Sequence, residues 1–295
     1  MHQSTFPAAG PSNRSRGSDT REEATMKRTI GWVAAMAAVA WMTPAVARAQ
    51  QVGNPNDPWC QGEGNRDRGH YCEVREMTVP PPGGVLTVNA RPNGGIKIVG
   101  WDRREVRVRA KIVANADADD QARALAKEIA VRTDGSIRAE GPARDEDRNW
   151  SVSYEISVPV DQPLSLSSTN GGISIKNIRA EVDFSTHNGG VVLTDIGGNV
   201  KGRTQNGGAQ VSLQGARWDG EGLEVETQNG GINVGLPDGY AAHVETSTVN
   251  GRISTDFPVT VVGQIDRRHL TADLNGGGAT LKLTTTNGGV SIRKR

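Results

Sequence analysis

The sequence predicts an all-β fold, a single-stranded parallel β-helix with one short helix in its N-terminal part. Three observations lead there. Glycine is abundant, at 37 of 295 residues, while aromatics make up only 4%. Asn-Gly pairs, which are turn signals, recur through the C-terminal half at nearly even spacing. Apolar residues alternate on both sides of each pair, so one face of each flanking segment is greasy and the other polar.

The repeat carries most of the argument. Asn-Gly occurs at Asn93, Asn170, Asn188, Asn206, Asn229, Asn250, Asn275 and Asn287. From Asn170 the steps are 18, 18, 23 and 21 residues, and the step from Asn250 to Asn287 is 37, close to two coils. Asn275 reads as a different corner. The other six copies from Asn170 onward align without gaps. Six and four residues before the Asn stand Leu164/Leu166, Val182/Phe184, Val200/Gly202, Leu223/Val225, Val244/Thr246 and Leu281/Leu283. Two before it stands Ser168 or a threonine (Thr186, Thr204, Thr227, Thr248, Thr285). Three and five after it stand Ile173/Ile175, Val191/Leu193, Ala209/Val211, Ile232/Val234, Ile253/Thr255 and Val290/Ile292. The copy at Asn93 keeps Ile96 and Ile98, but its upstream strand is shifted by one residue beside Pro92, as in a degenerate end repeat.

Each part has an expected role. Glycine is expected to supply positive φ at the turn. Asparagine tolerates the left-handed region and can stack amide on amide from coil to coil. The threonine shares the inward parity, where its hydroxyl can satisfy backbone groups at the corner. A repeat this short cannot bury its own apolar face, so stacking must create the core. An antiparallel meander is the alternative, because Asn-Gly is also a hairpin signal. One turn per roughly 18 residues leaves room for two or three strands per repeat, which favours the solenoid.

Upstream, residues 1–25 read as a polar extension before a second methionine, and 26–49 as a secretory signal peptide. Lys27 and Arg28 give the positive start, Ile30–Met42 the apolar run, and Ala47-Arg48-Ala49 the small residues for cleavage, leaving Gln50 first. The expected location is periplasmic or secreted, with no membrane span in the mature chain. Residues 50–83 read as an irregular segment whose two cysteines, Cys60 and Cys72, pair in an oxidising compartment. Residues 84–162 read as β-rich with a helix at 117–130, capped by Asp117 or Asp119 and packed through Leu125 and Ile129. Residues 163–295 are the repeats, and 84–295 are expected to form one continuous domain.

Ile96-Lys97-Ile98-Val99-Gly100-Trp101-Asp102, Tyr154-Glu155-Ile156-Ser157-Val158-Pro159 and the serial Thr-x-Asn-Gly-Gly turns resemble a family of bacterial β-solenoid domains known only as "putative adhesin", of unknown function. So does the ending Thr284-Thr285-Thr286-Asn287-Gly288-Gly289-Val290-Ser291-Ile292. The likeness covers about residues 84–295. It implies a right-handed single-chain β-helix, in keeping with the general rule for parallel crossovers, and brings no catalytic residues.

No catalytic, cofactor-binding or metal-binding residue is expected from the sequence, and no cofactor. The net charge of +1 gives no field for nucleic acid. Polysaccharide lyases and hydrolases also use β-helices, so an acid cluster is the feature to look for. The candidates are Asp183, Glu224, Glu226, Glu245, Asp256 and Asp273. They read as solvated outward positions, with Glu224 beside Lys201 and Glu226 beside Arg203 across neighbouring coils. His70, His187, His243 and His269 are scattered, and two cysteines with His70 make an incomplete zinc set. Trp218, in the Ser212–Gly222 insertion, reads as packing rather than as a carbohydrate-binding rim. The expected function is an exported envelope protein, structural or adhesin-like, facing an envelope glycan or another surface protein; a carbohydrate-active enzyme is the alternative.

Overall fold

A computed structural model describes residues 53–62, 68–258 and 266–295, all within one structural unit, Ala49–Arg295. The proposed extension and signal peptide lie outside the described residues. Among those described, no helix is long and apolar enough to cross a membrane.

The N-terminal part contains β1 (Gly69–Val79), β2 (Leu86–Asn89), β3 (Ile96–Trp101), β4 (Val106–Ala116), α1 (Asp119–Glu128), β5 (Ala130–Arg132), β6 (Ile137–Glu140) and β7 (Asn149–Pro159). The repeats contain β8 (Leu164–Asn170), β9 (Ile173–Asn188), β10 (Val191–Asn206), β11 (Ala209–Ser212), β12 (Gly222–Asn229), β13 (Ile232–Leu236), β14 (Ala242–Asn250), β15 (Ile253–Thr255), β16 (His269–Leu274), β17 (Thr280–Asn287) and β18 (Val290–Lys294). The fold is an all-β solenoid with one helix. Strands before each turn stack in parallel, as do those after it.

The sheet is mixed rather than parallel throughout. β1 pairs antiparallel with β4, β4 with β7, β5 with β6, and β16 with β14. These strands close the two ends of the stack, where a parallel coil would leave an unpaired edge. β1 also corrects the reading of 50–83 as irregular. Its alternation is masked because Glu73 and Arg75 face inward and are buried. They pair at 2.5 Å, and the Arg75 guanidinium donates to the Ala126 and Ile129 carbonyls at 2.8 and 2.5 Å, satisfying the end of α1. Leu125 and Ile129 are both buried in the core. The helix cap differs from expectation: Ala118, whose methyl has no acceptor, is the N-cap, and the Asp119 carboxylate accepts from the His70 backbone N–H.

The order of the last coils also departs from the sequence. Consecutive repeats do not all stack consecutively. β17 lies between β12 and β14, and β18 between β13 and β15. The C-terminal coil therefore fills a slot between two coils that precede it in the chain. The five residues joining β16 to β17 make this return possible: Asn275, Gly276, Gly277 and Gly278 all have positive φ, at 47, 94, 79 and 152°. The Asn275 amide donates to the Tyr240 carbonyl at 2.9 Å, tying the return to the core. Asn275 thus sits at a different corner from the other turn asparagines.

Candidate functional site

The turn asparagines form one ladder. Each side-chain amide nitrogen donates to the side-chain oxygen of the next: Asn170 to Asn93 at 2.8 Å, Asn188 to Asn170 at 2.7 Å, Asn206 to Asn188 at 2.8 Å, Asn229 to Asn206 at 2.8 Å, Asn287 to Asn229 at 2.7 Å and Asn250 to Asn287 at 2.8 Å. Its order is the spatial order of the coils. The hydroxyl column lies just inside it. Ser168, Thr186, Thr204 and Thr248 donate to the carbonyls of Gly94, Gly171, Gly189 and Gly288 on the adjoining coil at 2.7–2.9 Å. Thr285 donates to Gly230 in the same way at 2.8 Å.

The glycines serve a different purpose from the one expected. None of the ladder turns uses positive φ. The first glycine is needed because coils approach closely there: a Cβ on Gly189 would lie 2.3 Å from the Gly171 carbonyl oxygen, and one on Gly207 2.2 Å from that of Gly189. The second glycine has more room, from 3.0 Å to the nearest atom at Gly172, Gly208 and Gly289 up to 3.5 Å at Gly190.

Outward positions of the strands before the turns form a broad polar face. A groove of about 720 Å³ crosses it, lined by Arg91, Thr169, Ser185, His187, Arg203, Gln205, Glu226, Gln228 and Thr286. A neighbouring one of about 370 Å³ shares Ser185, Arg203 and Glu226 and adds Asp183, Lys201 and Glu224. The carboxylates are spread along this face and beyond it. Asp183, Glu226, Asp256 and Asp273 are exposed, and Glu224 and Glu245 half-buried. Lys201 is in register between Asp183 and Glu224, and Arg203 opposite Glu226. The ion pair that closes is another one: Lys282 reaches Glu224 at 2.6 Å from β17. Coil order explains this, since β17 supplies a lysine on Glu224's other side. Among the described residues, Arg203 closes no ion pair. His187 lines the larger groove, exposed, while His243 bonds Asp273 at 2.6 Å. Asp273 is the main cause that raises the His243 pKa. Among the described residues, no three His, Cys, Asp or Glu side chains gather as a metal site would need.

On the opposite side of the turn, Cys60 and Cys72 form a disulfide. A third groove of about 360 Å³ lies there, with Trp59 in its wall. Trp218 is buried and donates its indole N–H to the Gly198 carbonyl at 2.9 Å, so it packs. The carbohydrate-rim reading of that residue is thereby excluded. Sequence reasoning passed over Trp59; its adjacency to Cys60 was the available signal, because a disulfide fixes whatever lies beside it.

A stacked, ladder-stapled solenoid with polar outer grooves defines a scaffold of repeated coils. Residues 113–293 match the family described as Toastrack DUF4097, and the chain belongs to that family. No curated protein matches it. Solved structures similar to this chain include the following three. One, described as "a putative cell adhesion protein" from Clostridium sporogenes, is 13% identical with a TM-score of 0.41, over 75% of this chain and 100% of that one. Another, "a putative adhesin" from Bacteroides fragilis, is 12% identical with a TM-score of 0.34, over 75% and 97%. A third, "Putative lipid binding protein" from Parabacteroides distasonis, is 9% identical with a TM-score of 0.29, over 76% and 96%. At such identities these names describe those proteins.

Proposed function

We propose that the chain is an exported envelope protein, periplasmic or secreted, that acts as an adhesin-like interaction module and not as an enzyme. On this reading cleavage falls after Ala49, the coils wind right-handed, and the partner is an envelope glycan or another surface protein. The observation that carries the reading is the groove from Arg91 to Thr286. It crosses six stacked rungs, or roughly 24 Å at the usual strand spacing. Its side chains are short hydroxyls, the Gln205 and Gln228 amides, His187, Glu226, and two arginines, Arg91 and Arg203, that close no ion pair among the described residues; this mix suits an extended ligand. The disulfide supports an oxidising compartment. Asp183, Glu224 and Glu226 line the smaller groove, but Glu224 is held by Lys282 at 2.6 Å and Asp183 and Glu226 are exposed, which favours binding over the acid pair that glycoside hydrolysis needs.

The test is a pull-down of residues 50–295 on envelope glycans and peptidoglycan, with turnover assayed alongside. Capture that Arg203→Ala weakens, with no turnover, is the expected result. Hydrolysis or elimination that Glu226→Gln abolishes would overturn the reading and establish the enzyme.

A further inference from the structure

Residues 53–62 present a puzzle. None of them is buried, so they add nothing to the core. Three separate ties nevertheless hold them down. The Cys60–Cys72 disulfide joins them to β1. Two backbone bonds, at 2.9 and 3.0 Å, join Asn54 to Val74. The Asp57 carboxylate accepts from Arg109 Nη2 at 2.8 and 2.9 Å and from the Trp59 backbone N–H at 3.0 Å. What these ties position is the Trp59 ring. It lies over β4, with the Arg109 guanidinium 5.6 Å and the Lys111 ammonium 5.2 Å from its centroid.

The groove of about 360 Å³ beside Trp59 has the parts of a small-ligand site. Its floor contains Gly95, Gly172 and Gly190, the second glycines of three stacked turns. Val192 contributes apolar surface and is 39% exposed. Ser153 and Ser174 add hydroxyls. Lys97 and Lys111 add ammonium donors, and Glu155 adds a carboxylate that accepts from Lys97 at 3.0 Å and from Arg109 at 2.5 Å. Trp59 in the wall supplies the apolar body of an aromatic with a polar N–H tip.

We propose that this groove binds a neutral glycan, with one sugar ring stacked on Trp59. A pyranose has an apolar C–H face and a rim of hydroxyls. The indole and Val192 suit the face; Ser153, Ser174, Glu155 and Lys97 suit the rim. With Lys97 and Arg109 both on Glu155, its carboxylate has no charge left over for a cationic ligand, and a neutral sugar needs only hydrogen bonds from this rim. This site is distinct from the long polar groove, and the proposal rests on the reading of the chain as an extracytoplasmic binding scaffold. The disulfide then keeps the site assembled by tying residues 53–62 to buried Cys72.

The experiment titrates residues 50–295 with short neutral oligosaccharides of glucose, galactose, mannose and N-acetylglucosamine. It reads tryptophan fluorescence and heat. At least one should bind. Trp59→Ala should weaken it tenfold or more, and Trp59→Phe much less, with the melting temperature of both near the parent's. Cys60→Ser/Cys72→Ser should also weaken binding. Equal affinity in Trp59→Ala and the parent, or no binding across the panel, would overturn the proposal. Arg203-sensitive capture of an envelope partner persisting in Trp59→Ala would separate failure of this site from failure of the scaffold reading.

Discussion

Gly202 stands in register with Phe184 on the neighbouring strand, and a Cβ at Gly202 would lie 2.3 Å from the Phe184 ring. Five of the six aligned copies have a larger side chain at the Gly202 position. Phe184 fills the volume that Gly202 leaves, and only 4% of it is exposed. Gly202→Ala should therefore destabilise the fold by about 1–3 kcal/mol through overpacking. Adding Phe184→Leu should recover much of that loss. Urea denaturation of both variants tests this; additive losses in the double variant would refute the pairing.

The two turn glycines should respond unequally. Gly189→Ala puts a methyl against a backbone oxygen that cannot move alone, and about 2 kcal/mol or more should be lost. Gly190→Ala meets ordinary contact distances and should stay within about 1 kcal/mol of the parent. Denaturant midpoints of the two single variants make the comparison.

The ladder has a direction, and this gives a test of charge against shape. Asn188 donates to Asn170 and accepts from Asn206. Asn188→Asp keeps the acceptor but sets a carboxylate against the Asn170 oxygen. Asn188→Ala loses both bonds without that repulsion, costing about 1 kcal/mol at this exposed position. The aspartate variant should be the less stable of the two at pH 7. Below the carboxylate range, where it regains a proton to donate, it should recover.

The His243–Asp273 contact joins residues in register on β14 and β16. The Asp273 carboxylate, with Glu245 behind it, raises the His243 pKa above its ordinary value. A raised pKa means protonation favours the folded state. The contribution is complete below the unfolded value of about 6.5 and disappears as pH rises through the folded value. The melting temperature of His243→Gln should fall below the parent's most at about pH 5.5, and the gap should narrow by about pH 8.5. A gap that does not change with pH would remove the charge from this contact.

The asparagine ladder was legible in the sequence because an ungapped register puts equivalent residues on the same corner. The reason for its glycines was not, since spacing does not reveal whether a glycine serves φ or close approach. Coil order was hidden for a similar reason. The 37-residue step from Asn250 to Asn287 matches two coils in series as well as one coil plus a returning strand. β16 shows no repeat pattern, since it pairs antiparallel at an edge. β1 escaped because a buried Glu73–Arg75 pair imitates a polar loop. Trp59 lay in that same stretch, and only its neighbouring cysteine marked it.

Coil order underlies the long groove and the function proposed for it, because Gln228 and Thr286 meet there only if β17 lies beside β12. Cysteine pairs at outward positions test it directly. Thr284 is in register with Glu226 on one side and Ser247 on the other. Adjacent rungs fall within disulfide range, whereas two rungs, roughly 9.5 Å apart, do not. Under mild oxidation, with links mapped by mass spectrometry, the double variants Thr284→Cys/Glu226→Cys and Thr284→Cys/Ser247→Cys should each link, and Glu226→Cys/Ser247→Cys should stay unlinked. An efficient link between positions 226 and 247, with none from 284 to 226, would contradict the account.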